Sequence, residues 1–266
     1  MSQAPFARRL LRVTGMDELG AYRVLRASDP DGPEPEPGQF AMLTAAEGWG
    51  GGEEQRPFLP RAFSIARRSQ GESHFLLEDV GPGTRRLCEL GPGDGLWVLG
   101  PLGQGFTAPQ ESRRAILVGG GVGIAPLAIL QDTLEGEVTV LLGFRDRPRA
   151  QGAALLDGAR LASDDGSVGY HGLVTDLLAE EIRRDPKATV YACGPAGMLE
   201  GVRAMCERTA TPAQLALEAG MACGYGACFG CVVPKRGGGY LRVCLDGPVI
   251  DAAELEHVDA HAGAPS

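Results

Sequence analysis

Four of the seven cysteines are spaced to hold a metal centre, in the order Cys223-x4-Cys228-x2-Cys231-x12-Cys244. Thiolates in a C-x4-C-x2-C…C arrangement are the ligand set of a [2Fe-2S] cluster. Gly224, Gly226 and Gly230 interleave the first three ligands. They are expected to bend the loop through positive φ and to turn amide N–H groups toward sulfur, which offsets the negative charge of a cluster. A structural zinc site is the competing reading, because Zn²⁺ also takes four thiolates. Zinc ribbons present their ligands as two short knuckles, whereas here three ligands share one loop and the fourth ends a strand-like segment at 240–244. Cys88 and Cys206 have no neighbours that suggest ligation and read as core or surface residues.

Two further groups of residues are suited to nucleotides. Gly119, Gly120, Gly121 and Gly123 follow a buried-strand run at 115–118 and precede a helix-compatible stretch at 127–134. Free amides and a helix start at such a place favour a phosphate. The run departs from G-x-G-x-x-G, since Pro126 takes the third glycine position counted from Gly121, and a plain tight turn is the alternative. Cys193, Gly194 and Pro195 end a later apolar run and would edge the same crevice, or would simply be a buried cysteine before a turn. Arg61, Ala62, Phe63 and Ser64, with Gly83 and Thr84, supply a cation, amides, a polar group and an apolar wall, which a flavin needs. Read in isolation, the same tetrapeptide is a strand with one exposed charge. No side chain is required as a general acid or base, so no catalytic residue is assigned.

The elements that must position these residues fall into three parts. Short apolar segments at 22–26, 39–43, 62–65, 74–78 and 96–99, separated by Gly and Pro, predict an antiparallel β-barrel. Residues 28–37 and 47–60 read as loops. From about residue 111 the order becomes buried strand, glycine turn, helix and strand, with further strands at 138–142 and 188–193, which predicts a parallel α/β domain with ligands at the carboxyl ends of its strands. The expected division is 1–108 for the barrel, 109–210 for the nucleotide-binding α/β domain, 211–256 for the cysteine module and 257–266 for a polar tail.

With 44% hydrophobic and 22% charged residues the chain is too polar for a bundle of membrane spans, and no apolar run is long enough for one. A net charge of −9 with scattered basic residues argues against nucleic acid. The first residues lack a basic-then-apolar leader, and the chain reads as cytoplasmic.

Taken in order, the tetrapeptide at 61–64, Gly83-Thr84, the glycines of 119–126, Cys193-Gly194-Pro195 and the four-cysteine module resemble the ferredoxin-NADP⁺ reductase-like family. Within it they resemble the electron-transfer subunits of heterotetrameric, NAD-linked dihydroorotate dehydrogenases, which carry the cluster at the C-terminus. The similarity spans about residues 8–256. It implies FAD held by Arg61, Ala62, Phe63, Ser64, the strand Leu76-Leu77-Glu78, Gly83 and Thr84, and a cluster on Cys223, Cys228, Cys231 and Cys244. It also implies NAD(H) as substrate, an FMN-containing dihydroorotate dehydrogenase catalytic subunit as partner, and a place in pyrimidine biosynthesis. Ala62 stands where the family commonly has proline, and the 47–60 loop is longer than the family pattern. FAD would divide the electron pair of a hydride so that a one-electron cluster can pass it on. Other NAD(P)H-linked complexes of a hydrogenase, sulfite reductase or ferredoxin:NADP⁺ oxidoreductase share these parts, and a zinc-stabilised module without redox chemistry is the alternative of another class. Arg145, Arg147 and Arg149 follow the second strand of the α/β domain, where a 2′-phosphate or solvent could meet them.

Overall fold

The computed structural model describes residues 8–50, 57–109 and 114–258; part of the 47–60 loop and most of the 257–266 tail lie outside the described residues. The barrel consists of β1 (Arg8–Leu19), β2 (Tyr22–Ser28), β3 (Phe40–Ala45), β4 (Arg61–Ser69), β5 (Glu72–Glu78) and β6 (Gly95–Leu102), closed in the order β1-β2-β5-β4-β3-β6. Side chains alternate between faces along a strand. Accordingly Leu25, Ala41, Leu43, Phe75, Leu77 and Val98 fill the inside, and α1 (Pro82–Cys88) contributes Leu87 to the same core. β3 is buried on both faces, because its outer residues Phe40 and Met42 are covered by the rest of the molecule.

The second part is a sheet in the order β10-β9-β8-β7-β11-β12-β15. Its parallel strands are β7 (Arg114–Gly120), β8 (Val138–Phe144), β9 (Arg160–Ser163), β10 (Tyr170–His171), β11 (Ala188–Cys193) and β12 (Ala213–Ala216). The helices are α2 (Ala125–Thr133), α3 (Arg147–Ala150), α4 (Val174–Arg184) and α5 (Ala196–Thr209). At the foot of the sheet Arg114 is buried against Glu181 of α4, with its NH1 donating to the carboxylate at 3.0 Å and its NH2 to the Glu181 carbonyl at 2.8 Å.

The cysteine segment leaves this sheet after β12 and returns to it. Its hairpin, β13 (Val232–Pro234) with β14 (Tyr240–Arg242), precedes β15 (Val249–Asp251), which pairs antiparallel with β12. The stretch expected as a separate module from residue 211 therefore contributes two strands to the nucleotide-domain sheet.

Shared cores join the three parts. One packs Phe40, Met42 and Leu102 of the barrel with Val118 and Leu215 of the sheet and with Cys231, Val243 and Cys244. Another packs Tyr22, Ala66 and Leu76 of the barrel against Ile124, Leu127 and Leu142. Burying such side chains contributes about 1.5–3 kcal/mol each. The half-exposed Arg67–Asp132 pair at the same boundary adds only ~0.2–1 kcal/mol.

Candidate functional site

The four spaced cysteines come together as two pairs. Cys231 and Cys244 are buried, and the Cys231 Sγ accepts from the Cys244 amide at 3.4 Å. Cys223 is half-buried beside Cys228, which is exposed and whose Sγ accepts from the Gly230 amide at 3.4 Å. Burial acts to raise the Cys223 thiol, but the amides of Tyr225, Cys228 and Ala227 and the Cys228 side chain outweigh it and lower the pKa to about 6. Burial, then the neighbouring Cys231, pushes Cys244 up to about 12, against the Gly226 amide. Among the described residues no three ligand-type side chains gather closely enough to hold a single ion. Two thiol pairs lined by amide donors fit a centre of two irons, each taking two protein sulfurs.

Glycine shapes this loop at two positions. Gly224 and Gly226 have φ of +80° and +85°, and a Cβ on them would lie 2.5 Å from Met42 Cγ and 2.3 Å from Leu245 Cδ1. The positive φ expected at Gly230 falls instead on Phe229, at +56°. A left-handed non-glycine residue costs about 1–2 kcal/mol. Its ring projects outward, 60% exposed, with the Arg242 guanidinium 5.1 Å from its centroid. In protein stripped of metal, iodoacetamide near neutral pH is expected to label Cys223 well before Cys193 or Cys206, whose thiols burial pushes up. Peptide mass mapping over time checks that order.

The glycine loop and the Cys193 turn meet at the point where strand order reverses. β8, β9 and β10 lie to one side of β7, and β11 and β12 to the other, with Cys193 in register with Gly119. In open α/β sheets ligands bind at such a switch point. A Cβ at Gly123 would sit 2.5 Å from the Gly194 backbone, and one at Gly120 would sit 2.7 Å from Met198 Sδ, so the two loops pack backbone to backbone. Gly121 has φ +57° with open space around it. No side chain caps α5 at its start, whereas α2 continues a short 3-10 turn at Gly121–Ile124, with the Ala125 amide already donating to the Val122 carbonyl, so amides free for a ligand are those of the glycine loop and the α5 start. Cys193 is buried beneath, behind Pro195.

The tetrapeptide Arg61–Ser64, expected to meet a flavin, lies on β4 where its pairing with β5 ends. β4 pairs with β5 only as far as Ile65–Phe75, with a bulge between Ile65 and Arg67. Beyond that point Arg61–Ser64 pair only with β3, and Leu76–Glu78 pair only with β2. Among the described residues the two facing edges have no ladder between them. Arg61 crosses the end of the barrel onto α1, and a Cβ on Gly83 would sit 2.5 Å from its Nε. Thr84 is spent on the local turn: its Oγ1 accepts from the Val80 and Gly81 amides at 2.9 Å. Leu77 faces the barrel core and Leu76 the core shared with the sheet, so neither side chain is available to a ligand there. The Glu78 carboxylate is held by Arg149 at 2.8 Å, across the barrel–sheet boundary. An anionic group beside Arg61, which packs directly on Gly83, and a flat ring system along the slot between these edges fit this arrangement.

Three residues of the site lie outside the sequence-based assignment. Trp49, in the glycine-rich loop, has the Arg61 guanidinium 5.9 Å from its ring centroid. Glu218 follows β12 at the mouth of the crevice; its side chain reaches solvent, but the protein around it removes enough water to raise its carboxyl pKa, and its charge is felt at Cys193. Met42 touches the cysteine loop from β3. An acid closing an apolar strand and a strand apolar on both faces were the available signals for the last two.

Comparison with known proteins gives this geometry a family. The family model described as the iron-sulfur cluster binding domain of dihydroorotate dehydrogenase B matches residues 218–256. Over 234 residues the chain is 41% identical to a Geobacillus kaustophilus dihydroorotate dehydrogenase B (NAD(+)) electron transfer subunit, covering 83% of this chain and 86% of that protein. The chain belongs to that family. A Methanopyrus kandleri protein, named as a probable subunit of the same kind, is 39% identical over 228 residues, covering 83% of this chain and 81% of its own length. Among solved structures, one of an NADH-dependent reduced ferredoxin-NADP oxidoreductase superposes with a TM-score of 0.80 at 25% identity, over 94% of this chain and 91% of that one. A ferredoxin reductase in carbazole 1,9a-dioxygenase shares the fold, with a TM-score of 0.66 at 21% identity over 79% of this chain and 68% of its own. The reductase-like fold and the family implied by the resemblance are those found.

Proposed function

We propose that this chain carries electrons between an FMN-containing dihydroorotate dehydrogenase subunit and NAD⁺, through a [2Fe-2S] cluster and FAD, as one of the two kinds of subunit in a heterotetramer of pyrimidine biosynthesis. The observation that carries the reading is the junction itself: flavin slot, glycine crevice and thiol loop are set around cores shared by all three parts of the chain. When bound, FAD would exchange a hydride with the nicotinamide and single electrons with the cluster.

In this reading the protein binds and orients. Arg61 and the Gly83 and Thr84 amides hold the flavin pyrophosphate, Ala62, Phe63 and Ser64 with the Leu76–Glu78 backbone flank its ring, and Gly119, Gly120, Gly121, Gly123, Gly194 and Pro195 receive NAD(H). Cys193 supports the crevice floor, since burial keeps its thiol protonated. Cys223, Cys228, Cys231 and Cys244 ligate the cluster. Tyr225, Phe229 and Tyr240 are exposed on the module, and they supply the aromatic surface a partner subunit would cover. For NADH over NADPH, Arg149 is held by Glu78 and Asp146, Arg147 donates to the Ser167 carbonyl and the Asp146 carboxylate would oppose a 2′-phosphate, while Arg145 stays exposed after the same strand. A cytoplasmic setting, where thiols stay reduced, belongs to the same proposal; among the described residues no helix is long and apolar enough to cross a membrane.

Anaerobic purification with assay of flavin, iron and co-purifying chains tests the reading. FAD, two irons per chain and an FMN subunit in equal amount are expected; a hydrogenase or sulfite-reductase subunit in its place would keep the redox chemistry and discard the pathway. Arg61→Ala should lose FAD on gel filtration while keeping its iron, and full flavin occupancy would refute the assignment of Arg61. Gly123→Ala should force the two crevice loops apart and weaken NADH about tenfold, roughly 1.4 kcal/mol, by titration of the flavin-loaded protein.

A further inference from the structure

We propose that Met42 is the positioning residue that couples the flavin slot to the cluster loop. The proposal rests on the reading above, in which β4 lines FAD and Cys223 ligates the cluster. Met42 stands opposite Ala62 in the β3–β4 ladder, and side chains of such a pair share a face with Cβ atoms about 4.5–5.5 Å apart. Its neighbours Ala41 and Leu43 turn into the barrel, while Met42 points outward, is buried, and packs in the core that also holds Cys231 and Cys244.

Its tip ends on Gly224, the residue next to Cys223. A Cβ on Gly224 would lie 2.5 Å from Met42 Cγ and 2.7 Å from its Sδ, so no side chain can stand between them. A continuous chain of contacts therefore runs from Ala62 through Met42 to Gly224 and Cys223. Leu102 also reaches Gly224, at 3.3 Å from the same Cβ position, but its strand pairs with Phe40 of β3 and not with β4. Electron exchange between two buried centres depends on the length and packing of the medium between them, and a void there removes atoms from the path. Met42 fills that medium with an unbranched, polarizable side chain.

The step it serves is a one-electron passage. With both groups bound, a hydride from NADH would bring two electrons to the flavin; they would leave singly, each converting one ferric iron of the cluster to ferrous, the first moving on to the partner or an added one-electron acceptor before the second arrives, and the remaining proton would go to solvent.

The test compares Met42→Leu, Met42→Val, Met42→Ala and Leu102→Ala in the full chain loaded with FAD and cluster. Flavin and iron contents are measured first, and then, in an anaerobic stopped-flow instrument, flavin bleaching by NADH and the reduction rate of each loaded cluster. Flavin bleaching is expected to be unchanged throughout. Cluster reduction is expected to slow several-fold along the series from Leu to Ala at position 42, and to keep the parent rate in Leu102→Ala. Equal rates per cluster across the Met42 series, or an equal slowing in Leu102→Ala, would overturn the proposal, as would loss of the cluster from all three Met42 variants. Absence of flavin or cluster from the unmodified chain would instead overturn the functional reading beneath it.

Discussion

Cys228→Ser is expected to leave a yellow flavoprotein that NADH still reduces but that delivers no electrons to a one-electron acceptor. Cluster absorbance and iron should fall to background, while flavin content and the rate of flavin bleaching stay at the parent values. Cys228 is the informative one of the four because its side chain is exposed, meeting the Gly230 amide and the neighbouring Cys223. Serine there removes a soft thiolate at little cost to packing. Cys231 and Cys244 lie in the shared core, so the same change at either would also bury an extra hydroxyl. The tetrapeptide expected at the flavin lies on β4, a different element from the cysteine loop. Loss of flavin reduction together with the cluster would contradict that separation. A colourless parent protein with one zinc per chain would contradict the redox reading altogether.

Glu181→Ala should destabilise the fold by about 3–5 kcal/mol, because it leaves buried Arg114 with only the half-exposed Asp185 carboxylate, 3.5 Å from its Nε, as counter-charge. Arg114 and Glu181 are each 4% exposed in their side chains, and Arg114 also donates to Thr139 at 3.0 Å. The carboxylate is further held by Arg160 at 2.6 Å and by Arg184 at 3.4 Å, so one substitution breaks three ion pairs. Replacing both buried partners by leucine and methionine of similar volume should restore most of the loss, since paired burial itself adds little stability. Denaturant unfolding followed by circular dichroism measures both. Arg114 opens β7, whereas the glycine crevice lies at the other end of that strand. NADH affinity of the folded fraction should therefore not change, and a matching loss of affinity would show that the pair acts on the site.

Patterns that extend over many residues were legible before the fold was known. The cysteine spacing, the glycine run after a buried strand and the Gly- and Pro-punctuated segments each reflect one local constraint, and they led to the barrel, the α/β sheet and the thiol loop. What escaped depends on partners distant in the chain. β1 was not singled out, since Leu11 and Val13 are its few inward apolar residues among arginines. β12 and β15 are four and three residues long, and only their pairing shows that the cysteine segment is an excursion from the sheet. The left-handed turn falls on Phe229 rather than Gly230, because ring packing against Arg242 accompanies a conformation that glycine would adopt freely. Thr84 and Glu78 were read as cofactor contacts; their side chains are engaged by the Val80–Gly81 turn and by Arg149, which leaves the backbone at those positions for a ligand.

The return of β15 to the edge of the sheet has a consequence for how the protein is made. Chains emerge from the ribosome N-terminus first and fold by parts as they appear. The barrel and the six parallel strands can assemble while the last strand is still unsynthesised, which leaves β12 as an open edge, the kind of surface on which chains join one another. All four cysteines precede β15. The nascent polypeptide thus displays its complete thiol loop before the seventh strand zips shut, and iron delivered in that interval meets ligands not yet clamped between barrel and sheet. Completion of the thiol loop at Cys244 and closure of the sheet edge from Val249 follow one another closely as the chain is made.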